Sequence, residues 1–214
     1  MWVHSRNQPD NIYDISTFFK GIVMLYLVRH GESESNVQRR YTGITDVDLS
    51  NKGKVQAEAA GKRLASEKIS GVYSSPLKRA RETAEIICRE TNFNESKIII
   101  MDCLMEVNFG LFENMTWNEI ESDYKEESEK WILSGHKYKF PKGEGYEDII
   151  KRIAMFIDHV PDNSLIVTHF GVVQSILIYL GIANDMNLWN FTISNGDIMA
   201  INNKTIAEHW VNNC

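Results

Sequence analysis

A chain of 214 residues, 43% hydrophobic and 24% charged, is long enough to bury one substantial core and has the composition of a soluble globular protein. Its formal net charge of −6 argues against a general nucleic-acid binder, which needs a basic patch that no stretch supplies. Cys88, Cys103 and Cys214 lack metal-like spacing and fit a reducing cytoplasm, and the apolar run Ile22 to Val28 is too short to span a bilayer.

Residues 1–23 show no clear periodicity and no basic region ahead of a long apolar core. They read as an N-terminal extension rather than a secretion signal, with one domain expected over residues 24–214. Its organising stretch is Leu25 to Asn36, where an apolar run ends abruptly in Arg29 and His30 and a glycine follows. That is how a buried strand looks when it delivers polar side chains to the rim of a sheet, where ligands of open α/β folds collect. Tyr41 to Ser50 is rich in turn formers and reads as a loop. Ser50 caps a helix expected to run to about Glu67, with Val55, Ala59 and Leu64 as its apolar stripe.

Gly71 to Ser74 reads as a second strand. Ser75 as N-cap and Pro76 in the first turn then start a helix whose inner face is Leu77, Ala80, Ala84 and Ile87. Arg79 falls in or near its first turn, where a cation opposes the helix dipole and so calls for a reason other than helix stability. Ile98 to Met101 is a third, β-branched strand, and it brings Glu106 close to the same rim.

From Thr116 to Lys142 charged residues alternate with Trp117, Tyr124, Trp131, Tyr138 and Phe140, which predicts one or two helices forming a cap at about residues 112–146. A helix follows Gly145, with Ile149, Ile153, Phe156, Ile157 and Val160 at helical spacing, and Pro161 to Asn163 ends it. Ser164 to Gly171 repeats the opening pattern of apolar strand, histidine and nearby glycine, now around His169. Val172 to Leu180 is apolar nearly all round and reads as a buried helix. Phe191 to Ser194, Asp197 to Ile201 and Ile206 to Trp210 read as short strands, with Asn195-Gly196 as a hairpin turn. Strands alternating with helices predict a three-layer α/β sandwich with a mostly parallel central sheet, helices on both faces and a small helical cap.

Taken together, Leu-Val-Arg29-His30-Gly-Glu-Ser with Asn36, Ser75-Pro-Leu-Lys-Arg79-Ala with Thr83-Ala84, Glu106 ahead of Phe-Gly, and Val-Thr-His169-Phe-Gly resemble the histidine phosphatase superfamily from Met24 to the C-terminus. The resemblance implies a phosphoglycerate mutase-like fold and phosphoryl transfer through His30. Neutral imidazole is a good nucleophile near pH 7, and a covalent intermediate divides a very slow hydrolysis into easier steps. It implies that Arg29, Arg79 and His169, with Asn36, meet the phosphoryl oxygens, and that Glu106 serves the leaving oxygen as an acid. It extends, as substrate-binding positions, to Thr42, Gly43 and Phe170, with no metal and no cofactor.

A short span between Glu106 and His169 favours a phosphatase over a phosphoglycerate mutase, and a non-catalytic phosphate binder fits least because no expected position is missing. Within the phosphatases, Phe140 to Tyr146, Glu106 to Glu113 and Leu188 to Phe191 look similar to the α-ribazole phosphatases of cobalamin nucleotide-loop assembly. The alternative is a broad-specificity sugar or nucleotide phosphatase. The expected partner is a small phosphorylated metabolite, with no nucleic acid and no membrane, and the sequence leaves open whether the chain acts as a homodimer.

Overall fold

Strand β1 (Leu25–Arg29) is apolar until its last residue because both of its faces are covered. Leu25 and Leu27 point into one core and Tyr26 and Val28 into another, as the two-residue period of a strand requires. The computed structural model describes residues 24–212 and 214, so the expectation for residues 1–23 lies outside the described residues. β1 is central in a six-stranded sheet of order β4-β3-β6-β1-β7-β8. The other strands are β3 (Gly71–Ser74), β4 (Ile99–Ile100), β6 (Ser164–Thr168), β7 (Ile198–Asn202) and β8 (Thr205–Trp210).

The first four in that order run parallel, β7 pairs antiparallel with β1 and β8 antiparallel with β7, a mixed sheet with helices around it. α2 (Asn51–Leu64) and α3 (Lys78–Thr91) cover the face bearing Tyr26 and Val28, and α6 (Tyr146–His159) and α7 (Phe170–Tyr179) cover the other. Each Ile, Leu or Val fully removed from water in these layers contributes about 1.5–3 kcal/mol against chain entropy. α4 (Trp117–Asp123) and α5 (Lys125–Ser134) follow the buried Phe112. Ile120 joins the α6–α7 core, and the paired β2 (Arg40–Tyr41) and β5 (Met115–Thr116) tie this helical layer to the loop after α1 (Glu34–Val37). Among the described residues no helix is long and apolar enough to cross a membrane.

Parallel register puts three chain ends on one rim. Arg29 pairs with Thr168, and Ser74 with Val167. His30, Ser75 and His169, each the first residue after its strand, therefore emerge side by side.

Several local expectations are corrected. α2 buries Gly53, Gln56, Ala57, Ala60, Gly61 and Leu64, and leaves Val55 half exposed. Small residues decide which face turns inward, because the helix lies against backbone: a Cβ on Gly31 would stand 2.2 Å from the Gly53 carbonyl oxygen. α3 begins at Lys78 with Leu77 at the capping position, two residues later than Ser75 predicts. β4 is an edge strand paired only with β3, so Ile99 and Ile100 are largely exposed. Phe191 to Ser194 is not a strand, and the hairpin between β7 and β8 turns at Asn203 and Lys204, both with positive φ.

Candidate active site

His30 is built in by its backbone. Its N–H donates to the Thr168 carbonyl at 2.9 Å, and the Thr83 hydroxyl accepts from the Gly31 N–H at 3.1 Å. Nδ1 lies 2.7 Å from the Gly31 carbonyl oxygen. A carbonyl can only accept, so the ring proton sits on Nδ1 and Nε2 keeps its lone pair. Burial, with Arg79 and Arg29 nearby, holds the imidazole well below the usual histidine range and therefore neutral.

His169 is wholly buried, with its ring centroid 5.0 Å from that of His30. Burial and the Arg79 guanidinium keep it neutral as well. Its Nε2 meets the Ser75 hydroxyl at 2.8 Å. The later start of α3 explains this contact, since Ser75 stays in the loop with its Oγ turned to the histidine while also accepting from the Leu77 N–H. A Ser75 O–H that donates to Nε2 leaves the ring proton on Nδ1, a buried atom with no partner among the described residues.

Arg79 is 1% exposed, and its guanidinium is fixed by backbone carbonyls of Thr45, Thr42 and Gly43 at 2.9, 3.2 and 2.7 Å. Those carbonyls stand still because the Glu113 carboxylate accepts from the N–H groups of Gly43, Ile44 and Thr45 and from the Thr45 hydroxyl, and also from the Phe109 N–H. Hydrogen bonds to a charged group contribute about 1.5–3 kcal/mol each. Glu113→Ala is therefore expected to lower the urea midpoint, by roughly 2–4 kcal/mol of stability, and to weaken inorganic phosphate binding in calorimetry through the loosened Arg79. Unchanged phosphate affinity in the folded variant would show that the loop holds Arg79 without Glu113.

Arg29 donates through Nη1 to the Ile193 carbonyl at 2.8 Å and lies over the Phe170 ring at 5.4 Å, while its buried Nε has no partner among the described residues. Asn36 has its Oδ1 occupied by the Ser33 N–H and hydroxyl and by Asn195 Nδ2, so its own amide N–H groups are the end left for a ligand. Asn195-Gly196 is thus not a hairpin tip. Gly196, at φ +78, sends its N–H to the Arg29 and His30 carbonyls, which closes the pocket wall from the C-terminal side.

Glu106 is 8% exposed, and burial raises its pKa, opposed by the Val107 and Gly171 N–H groups and by Arg79 and Arg29. Val107 donates to Oε1 at 2.9 Å and Gly171 to Oε2 at 3.3 Å. A Cβ on Gly171 would stand 2.7 Å from Oε1, so a side chain there would displace the carboxyl from this position.

These groups surround a cavity of about 500 Å³. Arg29, His30, Asn36, Thr42, Arg79, Glu106 and Phe170 line it. His169 and Gly43 do not line it, and Gly43 instead packs on the Val107 carbonyl and serves Arg79. Thr42 Oγ1 is buried without a partner among the described residues. Much of the rest of the lining is aromatic, with Tyr41, Phe109, Trp117, Trp131, Phe140, Tyr146 and Trp189.

Residues that motif reasoning passed over are Ser75, Thr83, Glu113, Tyr146, Trp189 and Asn195. Ser75, Thr83, Glu113, Tyr146 and Trp189 do stand within segments quoted for the resemblance, but their individual roles depend on tertiary contacts. His136 and His209 pair with Asp185 and Asp197, and His159 with the Met155 carbonyl, so none of the three belongs to the site.

The family model described as histidine phosphatase superfamily (branch 1) matches residues 25–211. The chain belongs to that superfamily. This histidine phosphatase is 31% identical over 185 residues to phosphoserine phosphatase 1 of Hydrogenobacter thermophilus, covering 84% of this chain and 86% of the relative. It is 35% identical over 181 residues to human 6-phosphofructo-2-kinase/fructose-2,6-bisphosphatase 1, covering 83% of this chain but 36% of that longer enzyme. In fold it is similar to the crystal structure of the α-ribazole phosphatase from Shigella flexneri, with a TM-score of 0.74 at 27% identity over 89% of this chain and 96% of that one. The histidine phosphatase described here is a hydrolase of phosphate monoesters.

Proposed function

We propose that the chain hydrolyses a small phosphate monoester through a phosphohistidine at His30, and that α-ribazole 5′-phosphate is its substrate. The observation that carries the mechanism is the state of His30, neutral and with Nε2 unprotonated on the wall of a cavity. That same wall keeps Arg29 Nε and Thr42 Oγ1 buried and unpartnered. Buried donors without partners are costly, and an oxyanion in the cavity satisfies them.

In the first step the Nε2 lone pair forms a bond to phosphorus as the P–O bond to the alcohol breaks, and protonated Glu106 gives its proton to the leaving oxygen. Arg29, Arg79 and Asn36 offset the charge on the phosphoryl oxygens, with Thr42 as a further donor, and neutral His169 packs beside the His30 ring behind the cavity wall. In the second step Glu106 as carboxylate takes a proton from water. The water oxygen bonds to phosphorus, the P–N bond breaks and Nε2 recovers its lone pair. The raised pKa of Glu106 suits a group that must hold a proton in one step and lack it in the next.

Two observations favour the α-ribazole ester: the fold similarity to an α-ribazole phosphatase and the aromatic lining of the cavity. A second reading, phosphoserine, draws on the 31% identical relative. A panel of α-ribazole 5′-phosphate, phosphoserine, 3-phosphoglycerate and sugar phosphates, scored by kcat/KM with EDTA present, separates them. The expected result is a preference for α-ribazole 5′-phosphate of roughly tenfold or more, about 1.4 kcal/mol in the barrier. Preference for phosphoserine would replace the substrate, and a flat profile would make the chain a generalist.

A further inference from the structure

Trp189 is an aromatic side chain of the cavity that the fold itself does not use. It sits in the short 3-10 turn Leu188–Asn190, lines the cavity and is 53% exposed. Among the described residues it meets no other ring, no cation and no hydrogen-bond partner. Trp131 shows the contrast, packed against Tyr41, Phe112, Tyr138 and Phe140. Packing explains Trp131, but it leaves the Trp189 indole unexplained.

The indole is nevertheless held in place. Leu188, wholly buried, anchors the turn, and Asp185 forms ion pairs with His136, at 2.8 Å, and with Lys137. A Cβ on Gly135 would stand 3.9 Å from indole Cζ2 and Nε1, so one edge of the ring borders the Gly135–Lys137 turn. A large apolar face is thus kept half in water at the cavity, at a cost that is recovered when something covers it.

The charged groups of the lining narrow what that something is. Among the described lining residues Glu106 is the sole carboxylate and no lysine appears, whereas Arg39 and Arg40 join Arg29 and Arg79 in the lining. A polyhydroxylated alcohol finds few side-chain acceptors there, and an ammonium group meets like charge. A neutral planar ring finds an indole face.

We infer that Trp189 is the stacking face for a planar, ring-bearing leaving group, aryl or heteroaromatic, on the phosphate monoester. This rests on the phosphomonoesterase reading but not on which ring the alcohol carries. The test uses the full chain carrying His30→Ala, so that ligands bind without turnover, and calorimetric titration with benzyl phosphate, cyclohexylmethyl phosphate and phosphocholine. The two ring esters match in size and differ in planarity.

Benzyl phosphate is expected to bind roughly tenfold tighter than cyclohexylmethyl phosphate, within the range of ring stacking. Adding Trp189→Leu should bring that ratio close to one, and Trp189→Phe should keep most of it. Because each ratio is taken within one protein, a partly unfolded variant lowers both affinities together and leaves the ratio interpretable. Equal affinities, a ratio insensitive to Trp189→Leu, or tightest binding of phosphocholine would overturn the inference. Turnover of both ring esters by the unsubstituted chain is scored separately. If neither is hydrolysed, the phosphomonoesterase reading fails, while the binding ratio still reports on Trp189.

Discussion

His30→Ala is expected to abolish turnover of phosphate monoesters, lowering kcat on p-nitrophenyl phosphate by on the order of 10⁴-fold or more. The reason is specific to this side chain. Arg29, Arg79 and Asn36 are each held by contacts that do not involve the His30 ring: the Ile193 carbonyl, the Thr42, Gly43 and Thr45 carbonyls, and Ser33 with Asn195. The variant should therefore still bind inorganic phosphate in calorimetry while forming no acid-labile phosphoprotein after rapid quench with a labelled substrate. That combination separates loss of the nucleophile from loss of the pocket. The imidazole is neutral well below the usual histidine range, so the unsubstituted enzyme should keep its nucleophile on the acid side of neutrality, where an exposed histidine would already be protonated. Full activity in His30→Ala would remove the proposed nucleophile.

What the sequence made legible was whatever is fixed by a strand and the residue after it. His30 and His169 can be placed because continuous apolar runs, the mark of strands buried on both faces, end at them, and parallel register then brings the two ends together. Arg79 stood out because its position in a first helical turn conflicts with the helix dipole, a conflict resolved by three carbonyls from a loop more than 30 residues earlier. Ser75 was read as a cap because local rules favour serine before proline, yet its hydroxyl serves a histidine 94 residues away. Local propensity cannot contain that contact.

The hairpin was misplaced for a similar reason. Asn195-Gly196 carries the stronger local turn signal, but Gly196 uses its positive φ to reach the backbone of Arg29 and His30, and Asn203-Lys204 makes the turn with side chains that tolerate the left-handed region less readily. Val55 was assigned to the buried stripe of α2 by hydrophobicity, whereas close backbone approach at Gly53 selects a face of glycine and alanine. Trp189 follows no periodicity; the resemblance marks its segment, Leu188 to Phe191, but the tertiary fold is what shows that its turn borders the cavity.

Glu106→Gln is expected to divide substrates by their leaving groups. For an alkyl phosphate the departing alkoxide needs a proton in the transition state, and loss of the general acid should lower kcat/KM by about 10²–10⁴-fold. Nitrophenolate departs without one, so p-nitrophenyl phosphate should lose less than about tenfold in the phosphorylation step. The pH profile gives a second readout with a definite sign. Burial raises the Glu106 pKa, and the acid acts only while protonated. The unsubstituted enzyme should therefore lose activity on alkyl esters as pH rises through that raised pKa, and this descending limb should vanish in the glutamine variant.

The substitution is nearly isosteric but not silent in structure. Oε1 and Oε2 accept from the Val107 and Gly171 N–H groups, and a glutamine amide can keep only one of these bonds, setting its NH₂ against the other donor. A lost hydrogen bond of this kind costs about 1–3 kcal/mol in stability, but it depends on neither the leaving group nor pH. Equal losses on alkyl and nitrophenyl esters, with the descending limb retained, would assign Glu106 to holding the α7 N-terminus and leave the proton to another donor.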